Sequence, residues 1–251
     1  MTRRTLIILG ASGNAHDLLD IVAALNAPRP MWDIAGFLDD SLPQGSQLWG
    51  RKVLGPLRAA AGFHDCYFIN CIGSERSHRQ RPQMIARTRL TAMRFATLVH
   101  PQASVSSRAQ LGRGVYVSFG ASVGGMSVLG DHVSLAPGAI VGHDSSVADY
   151  ALLAPGATVS GSVQVGQAAY LGARSVVKQG LSIGAGALLG MGAVVTRAVD
   201  PEMTVVGVPA RPLYHKQTPS RGDSAATYSI HGPCSPAEAA AGSPLSQERI
   251  Q

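Results

Sequence analysis

Between residues 105 and 195 an aliphatic side chain returns at every sixth position without a break. The series runs Val105, Leu111, Val117, Val123, Leu129, Leu135, Val141 and Val147, then Leu153, Val159, Val165, Leu171, Val177, Ile183, Leu189 and Val195. Two positions before the next aliphatic residue the side chain is usually small or branched, as at Ala109, Val115, Ala121, Ser127, Val133, Ala139, Ser145, Ala151 and Ala157. A step of six matches neither the helical period nor the heptad, so a helical bundle is excluded. The pattern predicts a hexapeptide β-solenoid, in which three short strands close one triangular coil. The aliphatic residue fills the coil centre, and the small one lets the chain turn the corner.

Residues 1–98 show a different pattern, that of a small α/β unit. Thr5–Leu9 is a continuous apolar strand ended by the loop Gly10-Ala11-Ser12-Gly13-Asn14-Ala15, and the helix that follows carries Leu18, Ile21, Val22 and Leu25 on one face. Ile34–Leu38 is a second strand, stopped by Asp39-Asp40. Cys66–Ile72 is a third, ended by Gly73-Ser74-Glu75, and Arg79–Leu90 reads as helical apart from Pro82. Strand–helix–strand order with Gly, Ser and Asp at the strand ends describes a partial doubly wound, Rossmann-like sheet, whose ligands bind beyond the carboxyl ends of the strands. His100-Pro101 marks entry to the solenoid. Its register ends at Asp200-Pro201, and Val205–Arg211 forms a distinct element. The expected organisation is residues 1–98, a β-helix unit over 99–213, and a Ser-, Pro-, Gly- and Ala-rich tail over 214–251 without order of its own.

Composition narrows the function classes. Aromatic residues are only 5% and charged residues 14% of the chain. The net charge of +6 sits mainly in residues 1–100, with 12 basic against 7 acidic side chains; residues 104–200 hold 5 against 4. Arg76, Arg79, Arg81, Arg87, Arg89 and Arg94 concentrate the excess. With no aromatics interleaved among them they read as a solvated helix face before a nucleic-acid surface, with attraction of an anionic substrate second. Cys66, Cys71 and Cys234 are odd in number and lack metal-ligand spacing, which suggests reduced thiols in a cytoplasmic protein. No apolar run approaches the ~18 residues of a membrane span, and the four-residue apolar core of the N-terminus is too short for a signal peptide.

Departures from the small-and-aliphatic pattern mark candidate chemistry. Between 104 and 200 there are two histidines, His132, preceded by Asp131, and His143, followed by Asp144. Either pair offers an imidazole base whose tautomer a carboxylate fixes, and the residues alone do not separate them. Zinc would need a third ligand that the coils do not supply, so no metal is expected. The Gly10–Gly13 loop and Asp39-Asp40 suit a nucleotide or phosphate ligand. Arg174, Lys178, Arg197 and Arg211 suit a phosphorylated coenzyme along a solenoid edge.

The chain resembles the PglD/NeuD-like sugar O- and N-acyltransferases. The carriers are Gly10-Ala11-Ser12-Gly13, Phe37-Leu38-Asp39-Asp40, Ile72-Gly73, Val99-His100-Pro101, Val141-Gly142-His143-Asp144 and Val206–Arg211. The resemblance spans residues 5–213. It implies a left-handed parallel β-helix behind a Rossmann-like domain, and an acetyl-CoA-dependent acyltransferase acting on a nucleotide-linked amino or hydroxy sugar. It also implies a homotrimer with active sites between subunits. It places the base on His143 and its carboxylate on Asp144. Substrate contacts fall on Ser12, Gly13, Asn14, Asp39, Asp40, Gly73 and Ala136; coenzyme contacts fall on Leu152, Gly161, Ala173, Met191 and Arg211. Three positions depart from the family: Asn14 and Leu152 stand where histidines are common, and Ala136 where an asparagine binds substrate. The rival to catalysis is a trimeric protein that only binds a nucleotide sugar.

Overall fold

The computed structural model describes residues 3–213, which belong to one compact unit; the tail from residue 214 lies outside them. Five strands form the N-terminal sheet: β1 (Arg4–Leu9), β2 (Trp32–Leu38), β3 (Gln47–Leu48), β4 (Arg51–Gly55) and β5 (Cys66–Asn70). Their spatial order is β3-β4-β2-β1-β5, with β1, β2, β4 and β5 parallel and β3 antiparallel at the edge. Leu6, Ile7, Ile8 and Leu9 of β1 are all fully buried, because both faces of a parallel sheet are covered. Helix α1 (Asn14–Asn26) covers one face with Leu18, Ile21 and Val22.

The opposite face is covered by a 3-10 turn at Leu57–Gly62 and by α2 (Arg81–Ala86). Helix α2 is much shorter than the periodicity of 79–90 suggested. Pro82 sits at its first turn, Thr88 Oγ1 donates to the Ile85 carbonyl and accepts from Leu90 N–H, and Arg89 adopts a left-handed φ of 54°. That local side-chain bonding competes with helix continuation. The sequence pattern also passed over β3 and β4.

The solenoid is a left-handed parallel β-helix. Each two-residue strand pairs with the strand 18 residues on, as Ser122↔Ile140 and Val123↔Val141 show, and the strands stack into three sheets. From Val117 on, every sixth aliphatic residue is at most 2% exposed, which confirms the central column; Val105 and Leu111 flank it, partly buried. The column begins one step earlier than the sequence series, at β6 (Leu98–Val99), which pairs with Tyr116–Val117. At the far end Leu189 pairs with Val205, 16 residues on rather than 18. The last coil is therefore two residues short, which is why the sequence register stops at Pro201 while the structure continues.

The N-terminal sheet stands on the solenoid face that carries β6. Tyr116 belongs to the α1-side core. Arg81, wholly buried, donates to the carbonyls of Tyr150, Ala151 and His132 and to Ser134 Oγ. Arg76, Arg87 and Arg89 are exposed as a solvated face requires, and Arg81 is the exception. Arg79 donates to the Gly186 carbonyl and Arg94 to that of Cys66; they are clamps.

Candidate active site

His143 lies in the turn between the strands Ile140–Val141 and Ser146–Val147. At this turn the hexad takes a left-handed residue, which here is Asp144 with φ 57°. Aspartate tolerates that region better than most residues because its short side chain bonds locally. Its Oδ2 lies 2.6 Å from His143 Nδ1, with both side chains more than half exposed in the single chain. A carboxylate can only accept, so Nδ1 carries the proton and donates, and the neutral ring is left with an acceptor lone pair on Nε2. One coil further along the same edge is Gly161. A Cβ there would fall 2.6 Å from Nε2, so glycine leaves room for the ring.

His132 is a different residue in every physical respect. It is 4% exposed, stacked on Tyr150 at 4.9 Å and edge-on to Phe95 at 4.4 Å. Burial pushes its pKa down to about 4, and the neighbouring Arg81 adds to the effect. Asp131 is not its partner: that carboxylate accepts from Arg113 N–H. His132 is a neutral packing element of the joint between sheet and solenoid.

Ser12, Gly13, Asn14, Asp39 and Gly73 come together beyond the carboxyl ends of the parallel strands. Asp39 Oδ2 accepts from Ala11 N–H at 2.8 Å, and Asn14 Nδ2 donates to the Gly73 carbonyl at 2.7 Å. Asn14 thus bridges the loops after β1 and β5, where the chain switches sides of the sheet. Asp40 faces elsewhere. Its carboxylate accepts from Leu57 N–H and pairs with Arg87 at 3.0 Å, on a cleft of ≈ 970 Å³ that Arg58 and Arg89 also line.

The expected coenzyme contacts divide between two edges of the prism. Gly161 shares the edge of His143. Ala173 and Met191 lie on the edge between the sheet-bearing face and its neighbour, Met191 being 78% exposed. Arg211 lines a cavity of ≈ 320 Å³ with Arg197 at the solenoid's end. Leu152 and Ala136 are 5% and 6% exposed. Leu152 Cδ1 would lie 2.9 Å from a Cβ on Gly73, so this leucine fills the joint between loop and prism rather than facing a ligand.

Neither cysteine among the described residues competes for the chemistry. Burial pushes the Cys71 thiol up to about 12, which keeps it protonated. Among the described residues no three His, Cys, Asp or Glu side chains are grouped to hold a metal ion, and no helix is long and apolar enough to cross a membrane. Arg81 stands in sequence among arginines that are exposed, and no sequence signal distinguishes it from them.

No protein-family model matches the chain, and no curated protein sequence does. Solved structures do match. The acetyltransferase domain of PglB from Neisseria gonorrhoeae FA1090, solved also in complex with acetyl coenzyme A, is 31% identical. That match covers 84% of this chain and 100% of that one, with a TM-score of 0.73. The chain belongs to the hexapeptide-repeat sugar N-acyltransferases.

Two further solved structures match over the same share of the chain. The perosamine N-acetyltransferase PerB from Caulobacter crescentus, solved with CoA and GDP-perosamine, is 26% identical, with 97% of it covered and a TM-score of 0.72. WeeI from Acinetobacter baumannii AYE is 26% identical over its whole length, at 0.71. The PglD/NeuD-like resemblance is thereby confirmed, and the protein is an acetyltransferase.

Proposed function

We propose that this acetyltransferase moves the acetyl group of acetyl-CoA to the amino group of a nucleotide-linked sugar, with His143 as general base. The observation that carries the reading is the 2.6 Å contact between His143 Nδ1 and Asp144. It orients the ring, leaves Nε2 free to take a proton, and stabilises the imidazolium that results. In the proposed step the acceptor nitrogen attacks the thioester carbonyl carbon while Nε2 removes its proton. Collapse of the tetrahedral intermediate breaks the C–S bond, and the departing thiolate takes the proton back from His143. The Gly161 N–H, on the same edge, is suited to stabilise the oxyanion. No acyl-enzyme is needed.

In this reading residues 1–98 hold the nucleotide sugar through Ser12, Gly13, Asn14, Asp39 and Gly73, and residues 99–213 carry the transfer. Asp40 acts indirectly, by fixing the turn at Leu57. The coenzyme runs along the prism past Gly161, Ala173 and Met191 to the cations Arg197 and Arg211. Leu152 is left out, because it is enclosed.

The active unit is a homotrimer. The His143 edge is formed by the two faces that do not carry the N-terminal sheet, so one chain cannot bring His143 to its own Asn14 loop. Gly161 and Met191 are likewise on different edges. Rotation about an axis parallel to the prism brings one edge of each copy to another edge of the next. Exposed apolar side chains that suit such an interface are Met126 at 60% on the His143 edge and Ile140 at 42% on an adjoining face. The reduced state of Cys66 and Cys71 suits a cytoplasmic enzyme.

The deciding experiment incubates the protein with acetyl-CoA and a panel of UDP-, GDP-, dTDP- and CMP-linked amino and hydroxy sugars while following thiol release. Release with an amino sugar is the expected result. Sugar binding without release from any acceptor would leave a trimeric nucleotide-sugar-binding protein instead.

A further inference from the structure

Helix α1 sets Asp17, Asp20 and Ile21 against the edge where the solenoid begins. They line one side of a pocket of ≈ 40 Å³, closed from the solenoid side by His100, Ser118, Phe119 and Pro137. Every wall of this pocket comes from one chain.

Its chemistry is unusual for a packing defect. Ser118 is 1% exposed, and its Oγ has no hydrogen-bond partner, although buried hydroxyls in folded proteins are almost always paired. Asp17 and Asp20 lie about one helical turn apart on α1 and act on each other electrostatically. Burial raises the Asp17 pKa, and the nearby Asp20 raises it further, against a smaller opposing pull from His16. His100 Nδ1 accepts from Gln102 N–H at 3.0 Å, which leaves the proton of its neutral ring on Nε2. Phe119, 57% exposed, stands beside His100 at a ring distance of 5.6 Å and offers a flat apolar face at the pocket mouth.

These features select a ligand. The pocket is small, room for about one to a few water molecules, so it suits a single polar substituent better than a whole sugar. The carboxylates of Asp17 and Asp20 can only accept hydrogen bonds, so their side of the pocket favours a donor, while the Ser118 hydroxyl can adapt to either kind of partner. Two negative charges side by side reject a third. We propose that this pocket reads the acceptor: it takes one hydrogen-bond-donating substituent of the sugar, a hydroxyl or an ammonium, and turns away sugars that carry a carboxylate or phosphate there. The inference rests on the transferase reading and adds to it the selection among acceptors, with Asp17 and Ser118 as the residues that make it.

The test is steady-state kinetics of the full chain, with the best amino-sugar nucleotide of the panel and an amino-uronic acid nucleotide as its acidic counterpart. Ser118→Ala and Asp17→Asn should each raise the acceptor KM about 10-fold, the size of one lost hydrogen bond, while the KM for acetyl-CoA stays unchanged. Asp17→Asn should also narrow the preference for the neutral sugar over the acidic one by a similar factor, which a merely structural role would not do. Both substitutions are nearly isosteric, and a thermal melt checks the fold. Unchanged acceptor KM and unchanged neutral-to-acidic preference, in an enzyme that turns over, would overturn the pocket and leave the transferase standing. If the wild-type protein releases no thiol with any acceptor, the transferase reading falls. Calorimetric binding of the same nucleotide sugars to wild-type and Ser118→Ala protein then decides the pocket, equal affinities counting against it.

Discussion

His143 stands over Gly161, the residue 18 positions later in the next coil, so closely that a Cβ on Gly161 would lie 2.6 Å from Nε2 and 2.7 Å from Cε1. The spacing is set by the coil length alone. Gly161 is not in the left-handed region, so its lack of a side chain is explained by the ring it faces and not by backbone need.

Gly161→Ala should therefore damage activity far more than stability. The clash is with an exposed, movable ring, which can swing away and lose its bond to Asp144. A fall in kcat of roughly 10-fold or more is expected, since displacement of a catalytic group by about 1 Å is costly. The melting temperature should stay within a few degrees. Turnover assays beside a thermal melt check this.

His143→Ala should reduce kcat by roughly 10²–10⁴-fold, the usual worth of general base catalysis, with coenzyme affinity by calorimetry nearly unchanged. Asp144→Gly should also reduce kcat, because the ring loses its orienting carboxylate. It should not lower the melting temperature appreciably, since glycine accepts φ 57° without strain. A variant lacking either side chain with wild-type turnover would remove the base assignment.

Arg81→Met should destabilise the protein by about 3 kcal/mol in urea unfolding. The guanidinium satisfies the carbonyls of Tyr150, Ala151 and His132 and Ser134 Oγ, and their loss leaves buried acceptors unmade. Burial lowers its pKa only to about 10, so it remains charged at neutral pH. Hydrogen exchange should show the loss concentrated at the joint between sheet and prism.

Stability should fall on the acid side through His132. Its folded pKa of about 4 lies below the ordinary value of 6.5, so below pH 6.5 the unfolded chain binds a proton that the folded one refuses. The contribution is present above pH 6.5 and is lost progressively as pH falls towards 4, by an amount on the order of 2–3 kcal/mol. His132→Asn, which tolerates the left-handed φ of 59°, should shrink the difference between urea midpoints at pH 7 and pH 4.5. An unchanged difference would show that the ring titrates normally in the folded state.

The hexad series determined the solenoid, because each aliphatic position is buried by its own short-range periodicity and every coil repeats one local solution. The strand ends of the N-terminal unit were legible for the same reason, in Gly10–Asn14, Asp39 and Gly73. What the chain alone left open were matters of long-range contact. His132 and His143 carry the same neighbouring carboxylate in sequence, and only their placement separates them: one turn is covered by the N-terminal sheet, with Phe95 and Tyr150 against its ring, and the other faces outward. Arg81 is indistinguishable from Arg87 until the sheet docks on the prism and encloses it. Ser118 and Asp17, 101 positions apart, share a pocket only because α1 lies along one solenoid edge. Local periodicity fixes which residues point inward; which outward residues are covered depends on how two differently built halves pack, and that is decided in three dimensions.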